Sequence, residues 1–236
     1  MSTIDNQALH PFYPPGIHLS GGKFVPNDWD VLTLVAEFIG GWVVIAAVTL
    51  LATKKMNPRL KGTDQALVLW FVLCGSIHLF FEGYFMVNHT RMASMTDFFG
   101  QLWKEYSLSD SRYMFSDPFV LCMESITAVA WGPLSFLTAY LIISDSAFRH
   151  PLQALVSTGQ FYGDALYYLT SLSDHYYAGK AFYRPEPYYF WFYFVFMNAF
   201  WIIVPALCVY SSMTQSAKAF RVMGRMGVNG SAKKSL

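Results

Sequence analysis

VLTLVAEFIGGWVVIAAVTLLAT, residues 31–53, decides the fold. One carboxylate, Glu37, interrupts an apolar run long enough to cross about 30 Å of hydrocarbon at about 1.5 Å per residue. A soluble helix of that length needs a polar face, and this run has none. Four further windows repeat the pattern at 65–87, 118–143, 152–170 and 188–211. The whole chain agrees with them: 54% of its residues are hydrophobic, 18% aromatic and 13% charged, against about 25% charged in soluble domains. The predicted fold class is therefore all-α, a polytopic membrane protein with a bundle of five transmembrane helices. The 152–170 window is the least apolar, since it holds Gln160, Asp164 and two glycines, so it needs neighbouring helices to shield its polar face.

The remaining segments set the orientation. Residues 1–30 carry acids and prolines and no apolar core, so no cleaved signal peptide is read and the first span serves as the insertion signal. With residues 1–30 lumenal, five crossings place the 54–64 loop, the 144–151 loop and the tail in the cytosol. Lys54, Lys55, Arg59, Lys61, Arg149, Lys218, Arg221, Arg225, Lys233 and Lys234 then face inward, against Lys23, Arg91, Lys104, Arg112, Lys180 and Arg184 outside. That bias follows the positive-inside rule. The expected organisation is a lumenal segment 1–30, a five-helix domain 31–211 and a cytosolic basic tail 212–236. The tail ends Lys233-Lys234-Ser235-Leu236, which reads as a dilysine signal for the endoplasmic reticulum membrane or as a solubilising basic end. The 88–117 connection mixes charges with aromatics and is too long for a bare linker, so a lumenal cap over the bundle is expected. Pro133 and Pro205 predict kinks inside their spans. No internal repeat points to an inverted-repeat transporter.

Several function classes lose their parts. A net charge of +1 with no basic stripe offers nothing to nucleic acid. Cys74, Cys122 and Cys208 lie singly in apolar runs, without disulfide or zinc spacing, and read as small core residues. Of the six histidines only His78 is clearly inside a span, and there is no HExxH, so no metal is expected. GxSxG, GxGxxG and the P-loop are absent too. Cofactor-free proton chemistry in an apolar pocket is what remains.

Titratable groups at bilayer depth are costly, about 2.5–3.5 kcal/mol on insertion scales, and so draw attention. His78 and Glu82 lie four apart on the second span and can hydrogen-bond each other, as a proton relay or as a self-satisfied pair locking two helices together. Glu124 begins the third span, with Thr127 and Trp131 at helical spacing along the same face. Asn198 and Trp201 repeat the three-residue spacing on the fifth span, an amide beside an indole face that attracts positive charge. Glu37 and Asp164 are less specific and read as groups that pair with neighbours such as Gln160. Residues 188–201, YYFWFYFVFMNAFW, carry ten aromatics, more than an interfacial belt uses. Flat aromatic walls suit a flat polycyclic ligand, and simple bundle packing reads the same run equally.

HPFYP (10–14), FVPND (24–28), SIHLFFEGYF (76–85), LWKEY (102–106), DSRY (110–113), CMESITAVAWGPLS (122–135), GQFYGD (159–164) and YFWFYFVFMNAFW (189–201) follow one another in order. Together they resemble the emopamil-binding family of 3β-hydroxysteroid Δ8,Δ7-isomerases, which carries the EXPERA membrane domain. The resemblance implies five transmembrane helices and movement of a sterol B-ring double bond from C8–C9 to C7–C8 without a cofactor. It implies protonation at C9, a cation at C8 and loss of a proton from C7. By matching motif positions, His78, Glu82, Glu124, Thr127, Asn198 and Trp201 correspond to the family's catalytic residues. Tyr113, Trp131, Gln160 and Phe194 are expected to contact substrate. The expected partners are a Δ8-sterol, the lipid bilayer and cationic amphiphilic amines that imitate the carbocation. A homodimer is also implied by the resemblance. Related EXPERA members that bind sterols or drugs without isomerase activity supply the alternative reading, and Glu124, Thr127, Asn198 and Trp201 together favour catalysis over it.

Overall fold

A computed structural model describes residues 10–234, with side chains as far as Met226, so the dilysine end and the first nine residues lie outside the described side chains. Every regular element among them is helical: α1 (Val31–Met56), α2 (Gly62–Asn88), a short α3 (Phe98–Tyr106), α4 (Pro118–Ile143), α5 (Arg149–Ala178), and α6, which starts as a π-helix (Tyr189–Phe196) and runs on as an α-helix (Met197–Lys234). Helices α1, α2, α4 and α6 are long and apolar enough to cross a membrane. Helix α5 matches the weakest sequence window. It is 30 residues long, and its polar side chains Gln153, Ser157, Gln160 and Ser171 are buried with Val156 and Tyr167 in one inward stripe packed against α6 and α4. The neighbours supply the shielding that the sequence demands of it.

Local chemistry sets the ends. Asp30 caps α1 by accepting from the Thr33 amide at 3.0 Å, and Lys54 and Lys55 close its last turn, where a helix dipole favours cations. Asp117 caps α4 in the same way through Val120, with Pro118 in the first turn. Gly179, at φ 66°, takes the left-handed conformation that ends α5. Helix α6 is not broken at residue 211. With no proline after Pro205 to stop it, the helix continues through the basic segment as far as Lys234.

Three π-helical turns punctuate the bundle, at Ile77–Glu82, Thr127–Trp131 and Tyr189–Phe196. In each, an amide reaches back five residues: Gly83 to the His78 carbonyl, Gly132 to Thr127, and Met197 to Phe192. Pro133 explains the second, because without an N–H it cannot serve the Val129 carbonyl and the turn opens just before it. The first two π-turns pack directly on each other. Gly132 permits this approach, since a Cβ there would sit 3.1 Å from the Leu79 backbone nitrogen.

The 88–117 connection folds as the expected cap, built from α3 and two 3₁₀ turns, Met92–Ser94 and Ser111–Tyr113. Residues 10–30 strap across it. Val25 and Ser20 donate backbone hydrogen bonds to Ala93 and Met114, Gln101 Oε1 accepts from the Asp28 and Trp29 amides, and Lys104 Nζ donates to the Val25 carbonyl at 2.6 Å. Burial pushes the Lys104 ammonium below its ordinary pKa. Arg112 pins the cap to α5: it pairs with Asp110 at 2.7 Å and donates to Thr170 Oγ1 at 2.7 Å and the Tyr167 carbonyl at 3.1 Å. Burial works against its charge, and the Asp110 carboxylate outweighs burial and raises its pKa. No disulfide is formed; Cys74 and Cys208 are buried as expected, whereas Cys122 is exposed.

Candidate active site

A cavity of about 910 Å³, counted out to its mouth, opens where α2, α4, α5 and α6 converge beneath the cap. Its lining contains His78, Glu82, Tyr113, Glu124, Thr127, Gln160, Asn198 and Trp201, eight residues drawn from five separate segments of chain.

The polar groups form one connected cluster. His78 Nδ1 and Glu82 Oε2 are 2.7 Å apart, and His78 Nε2 faces the Gln160 amide nitrogen at 3.1 Å. With Gln160 donating to Nε2, the ring proton sits on Nδ1 and is donated to Glu82. The Thr127 hydroxyl donates to the same Glu82 oxygen and lies 3.3 Å from Glu124 Oε2 and 2.8 Å from the Glu124 carbonyl. One hydroxyl thus touches both carboxyl groups. Tyr113, on the cap, donates to Glu124 Oε1 at 2.6 Å. Burial pushes its phenol far above the ordinary tyrosine range, so it is a donor at neutral pH. Tyr106, also on the cap, donates to Asn198 Oδ1 at 3.1 Å, while Asn198 Nδ2 holds the Phe194 carbonyl at 2.8 Å. The π-turns carry His78, Glu82 and Thr127, and their pairing brings a carboxylate of α2 against the hydroxyl of α4. Such turns are frequent at functional sites. Among the described residues no cluster of three His, Cys, Asp or Glu side chains is arranged to hold a metal ion.

Two expected contacts sit elsewhere. Trp131 is outside the lining, because the π-turn rotates it off the Glu124–Thr127 face, and its indole packs on Gly159, where any Cβ would collide with the ring. Phe194 is fully buried behind the wall, 5.5 Å from the Tyr167 ring, and enters the site through its carbonyl. The aromatic run 188–201 contributes only Met197, Asn198 and Trp201 to the lining, while Trp191, Phe192, Phe196 and Phe200 are exposed. Aromatic walls do exist, but from residues the sequence reading passed over. Phe81 stacks on Trp103 at 4.3 Å with planes 9° apart, and Tyr106 and Tyr167 complete the surface. Trp103 and Tyr106 lie in the LWKEY motif and Phe81 in SIHLFFEGYF, while Tyr167 belongs to no quoted motif. Glu37 lies on the exposed face of α1. Asp164 lines the cavity without the expected partner, since no hydrogen bond joins it to Gln160 one turn away.

The EXPERA (EXPanded EBP superfamily) model matches residues 98–212, which spans α3 to α6. Three curated relatives cover nearly the whole chain. The 3-beta-hydroxysteroid-Delta(8),Delta(7)-isomerase of Rattus norvegicus is 42% identical over 92% of this chain and 93% of its own. Those of Mus musculus and Cavia porcellus are 40% and 38% identical, over 94% and 91% of this chain and 94% and 92% of theirs. With three relatives at 38–42% identity over more than nine-tenths of both chains, the chain belongs to the emopamil-binding family of 3β-hydroxysteroid-Δ8,Δ7-isomerases within the EXPERA superfamily.

Proposed function

We propose that this protein is a sterol Δ8–Δ7 isomerase that shifts the B-ring double bond by protonation at C9 and deprotonation at C7. The observation that carries the reading is the pair of carboxyl groups bridged by one hydroxyl, Glu82–Thr127–Glu124, in the wall of a largely apolar and aromatic cavity. A double-bond shift needs an acid, a base and a site for positive charge in between. Glu82 Oε2 receives both His78 and Thr127, a pattern that suits a carboxylate, and leaves Oε1 to take a proton. Glu124 is held by Tyr113 through Oε1, so Oε2 is the oxygen from which a proton reaches C9.

In this scheme Glu124 Oε2–H adds its proton to C9, the π electrons of C8–C9 form the new C9–H bond, and C8 becomes cationic. The Glu82 carboxylate and the Trp201 indole face stabilise that cation. Glu82 then removes a proton from C7, and the C7–H electrons become the C7–C8 double bond. Rotation of the protonated Glu82 carboxyl turns its O–H onto Thr127, whose hydroxyl accepts that proton while donating its own to Glu124. His78 holds Glu82 in place and is itself held by Gln160.

The same cation site accounts for binding of cationic amphiphilic amines, and Glu124→Gln or Trp201→Leu is expected to weaken it. The reading includes the endoplasmic reticulum membrane, with residues 1–30 and the cap lumenal and the basic end of α6 cytosolic. Five crossings and a homodimer also belong to it, and the distribution of basic residues and the family resemblance support them.

Conversion of a Δ8-sterol by the purified protein in deuterated buffer tests the reading. Δ7 product labelled at C9 is expected. No conversion by protein that binds the sterol saturably would overturn it in favour of a sterol-binding relative.

A further inference from the structure

Polar groups at the bottom of an apolar cavity are normally satisfied by one another, and most of those here are. Asp164 is an exception. It lies in the cavity wall on α5, its Oδ2 is buried, and no hydrogen bond reaches it. An unpartnered carboxyl at this depth costs free energy that a bound ligand recovers only by hydrogen-bonding to it.

Its position along the cavity says which part of a ligand that is. Helix α5 runs from Gln160, which holds His78, through Asp164 to Thr170, which holds Arg112 of the cap. Asp164 is thus one helical turn, about 5.4 Å, from the reacting cluster on its cap side. The other direction is aromatic and aliphatic, with the buried indole N–H groups of Trp70 and Trp201 as its unpartnered polar atoms. Trp201 lies there with its ring 5.6 Å from Trp70, and Trp70 opens onto a groove of about 640 Å³ between α1 and α2, walled by Trp42, Leu69 and Leu73. The cavity therefore has one polar and one largely apolar end, with the two carboxyls in between. A 3β-hydroxysterol has the same asymmetry: its hydroxyl is on ring A, one ring from the B-ring double bond, and its aliphatic chain is on the far side.

We propose that Asp164 is the specificity residue that hydrogen-bonds the substrate's 3β-hydroxyl, orienting the sterol with ring A toward the cap and its aliphatic chain toward Trp201. The inference rests on the isomerase reading. Other polar atoms serve less well. Asn198 Oδ1 is occupied by Tyr106. The unpartnered Gln160 Oε1 is beside His78, where a hydroxyl would draw ring A, not ring B, over the reacting groups.

The test uses full-length protein in lipid nanodiscs with a 3β-hydroxy Δ8-sterol and its 3-deoxy counterpart. Asp164→Ala is expected to raise KM for the hydroxylated sterol by about two- to tenfold, the value of a single hydrogen bond, with kcat held within about twofold. It should leave the 3-deoxy sterol's KM unchanged. Asp164→Asn, which keeps an acceptor and the side chain's shape, is expected to fall between the two and serves if the alanine variant does not fold. Equal effects on both sterols, or none on either, would overturn the proposal. If the wild-type protein converts neither sterol, the isomerase reading fails, and the ratio of the two sterols' saturable binding to wild type and variant still decides the role of Asp164.

Discussion

Thr127→Val isolates the bridge between the carboxyls. Valine keeps the β-branched shape and volume and deletes one oxygen, which touches Glu82 Oε2 and lies 3.3 Å from Glu124 Oε2. The lost contact is a hydrogen bond to a charged group, worth about 1.5–3 kcal/mol. At about 1.36 kcal/mol per decade, kcat should fall about 10- to 150-fold. KM should hold, because the hydroxyl faces carboxyls and not a part of the sterol already bound in the ground state. If the hydroxyl also returns the proton from Glu82 to Glu124, the first turnover should outpace later ones, and rapid-quench conversion should show a burst that wild type lacks. Thr127→Ser restores the oxygen and should restore the rate. The structural cost is the hydroxyl's bond to the Glu124 carbonyl at 2.8 Å, about 1 kcal/mol, too small to unfold the bundle. A valine variant that melts like wild type and retains kcat within about twofold refutes the bridge, as does one that raises KM alone.

Arg112→Met leaves Asp110 buried without its partner and should cost about 3–5 kcal/mol, read as a lowered melting temperature. The Asp110→Asn/Arg112→Met double variant should recover part of that loss. Tyr113→Phe removes the donor that holds Glu124 Oε1 at 2.6 Å and is expected to lower kcat about tenfold with the fold intact, measured by sterol conversion and thermal melting together. Gly159→Val drives a side chain into the Trp131 indole, and thermal melting should show an overpacking cost of about 1–3 kcal/mol, with cavity binding weakened as α5 moves. Lys104 has a folded pKa below 10.5, so the unfolded chain binds its proton more tightly and stability should rise with pH through the interval between the lowered value and 10.5. Lys104→Gln should flatten that rise in melts taken across the interval.

Much of the architecture is written in hydropathy. The apolar windows map onto α1, α2, α4 and α6 to within a few residues at most ends, because in lipid every backbone group must be satisfied within a helix and the apolar run length sets that helix. Helix α5 was legible as an exception: Gln160 and Asp164 require shielding, and the structure turns their stripe inward. His78, Glu82, Glu124, Thr127 and Asn198 were legible for a related reason, since a titratable or amide group at bilayer depth has to face something polar. Trp131, Phe194 and the 188–201 aromatics were less legible. Their faces were read at 3.6 residues per turn, and π-turns shift that register by one residue in the segments concerned. Trp103 and Tyr106 were missed because cap residues reach the site by tertiary docking, through Gln101, Lys104 and Arg112, which has no sequence period.

The cluster's economy also separates groups that shape the site from groups that meet a ligand. Tyr113, Thr127, His78 and Asn198 each have a protein partner, so removing any one exposes another polar atom and disturbs the cluster as a unit. Gln160 Oε1, Asp164 Oδ2 and Trp201 Nε1 are buried without partners, and all three residues line the same cavity. Away from water such atoms are expensive to keep, and their presence in one cavity is hard to explain by packing. Substitutions of the first group should therefore act on kcat and on stability together. Substitution of Asp164, which holds no other group of the cluster, should act on binding, and the stability of the empty protein should be unchanged or higher, because the unpartnered atom leaves with the side chain.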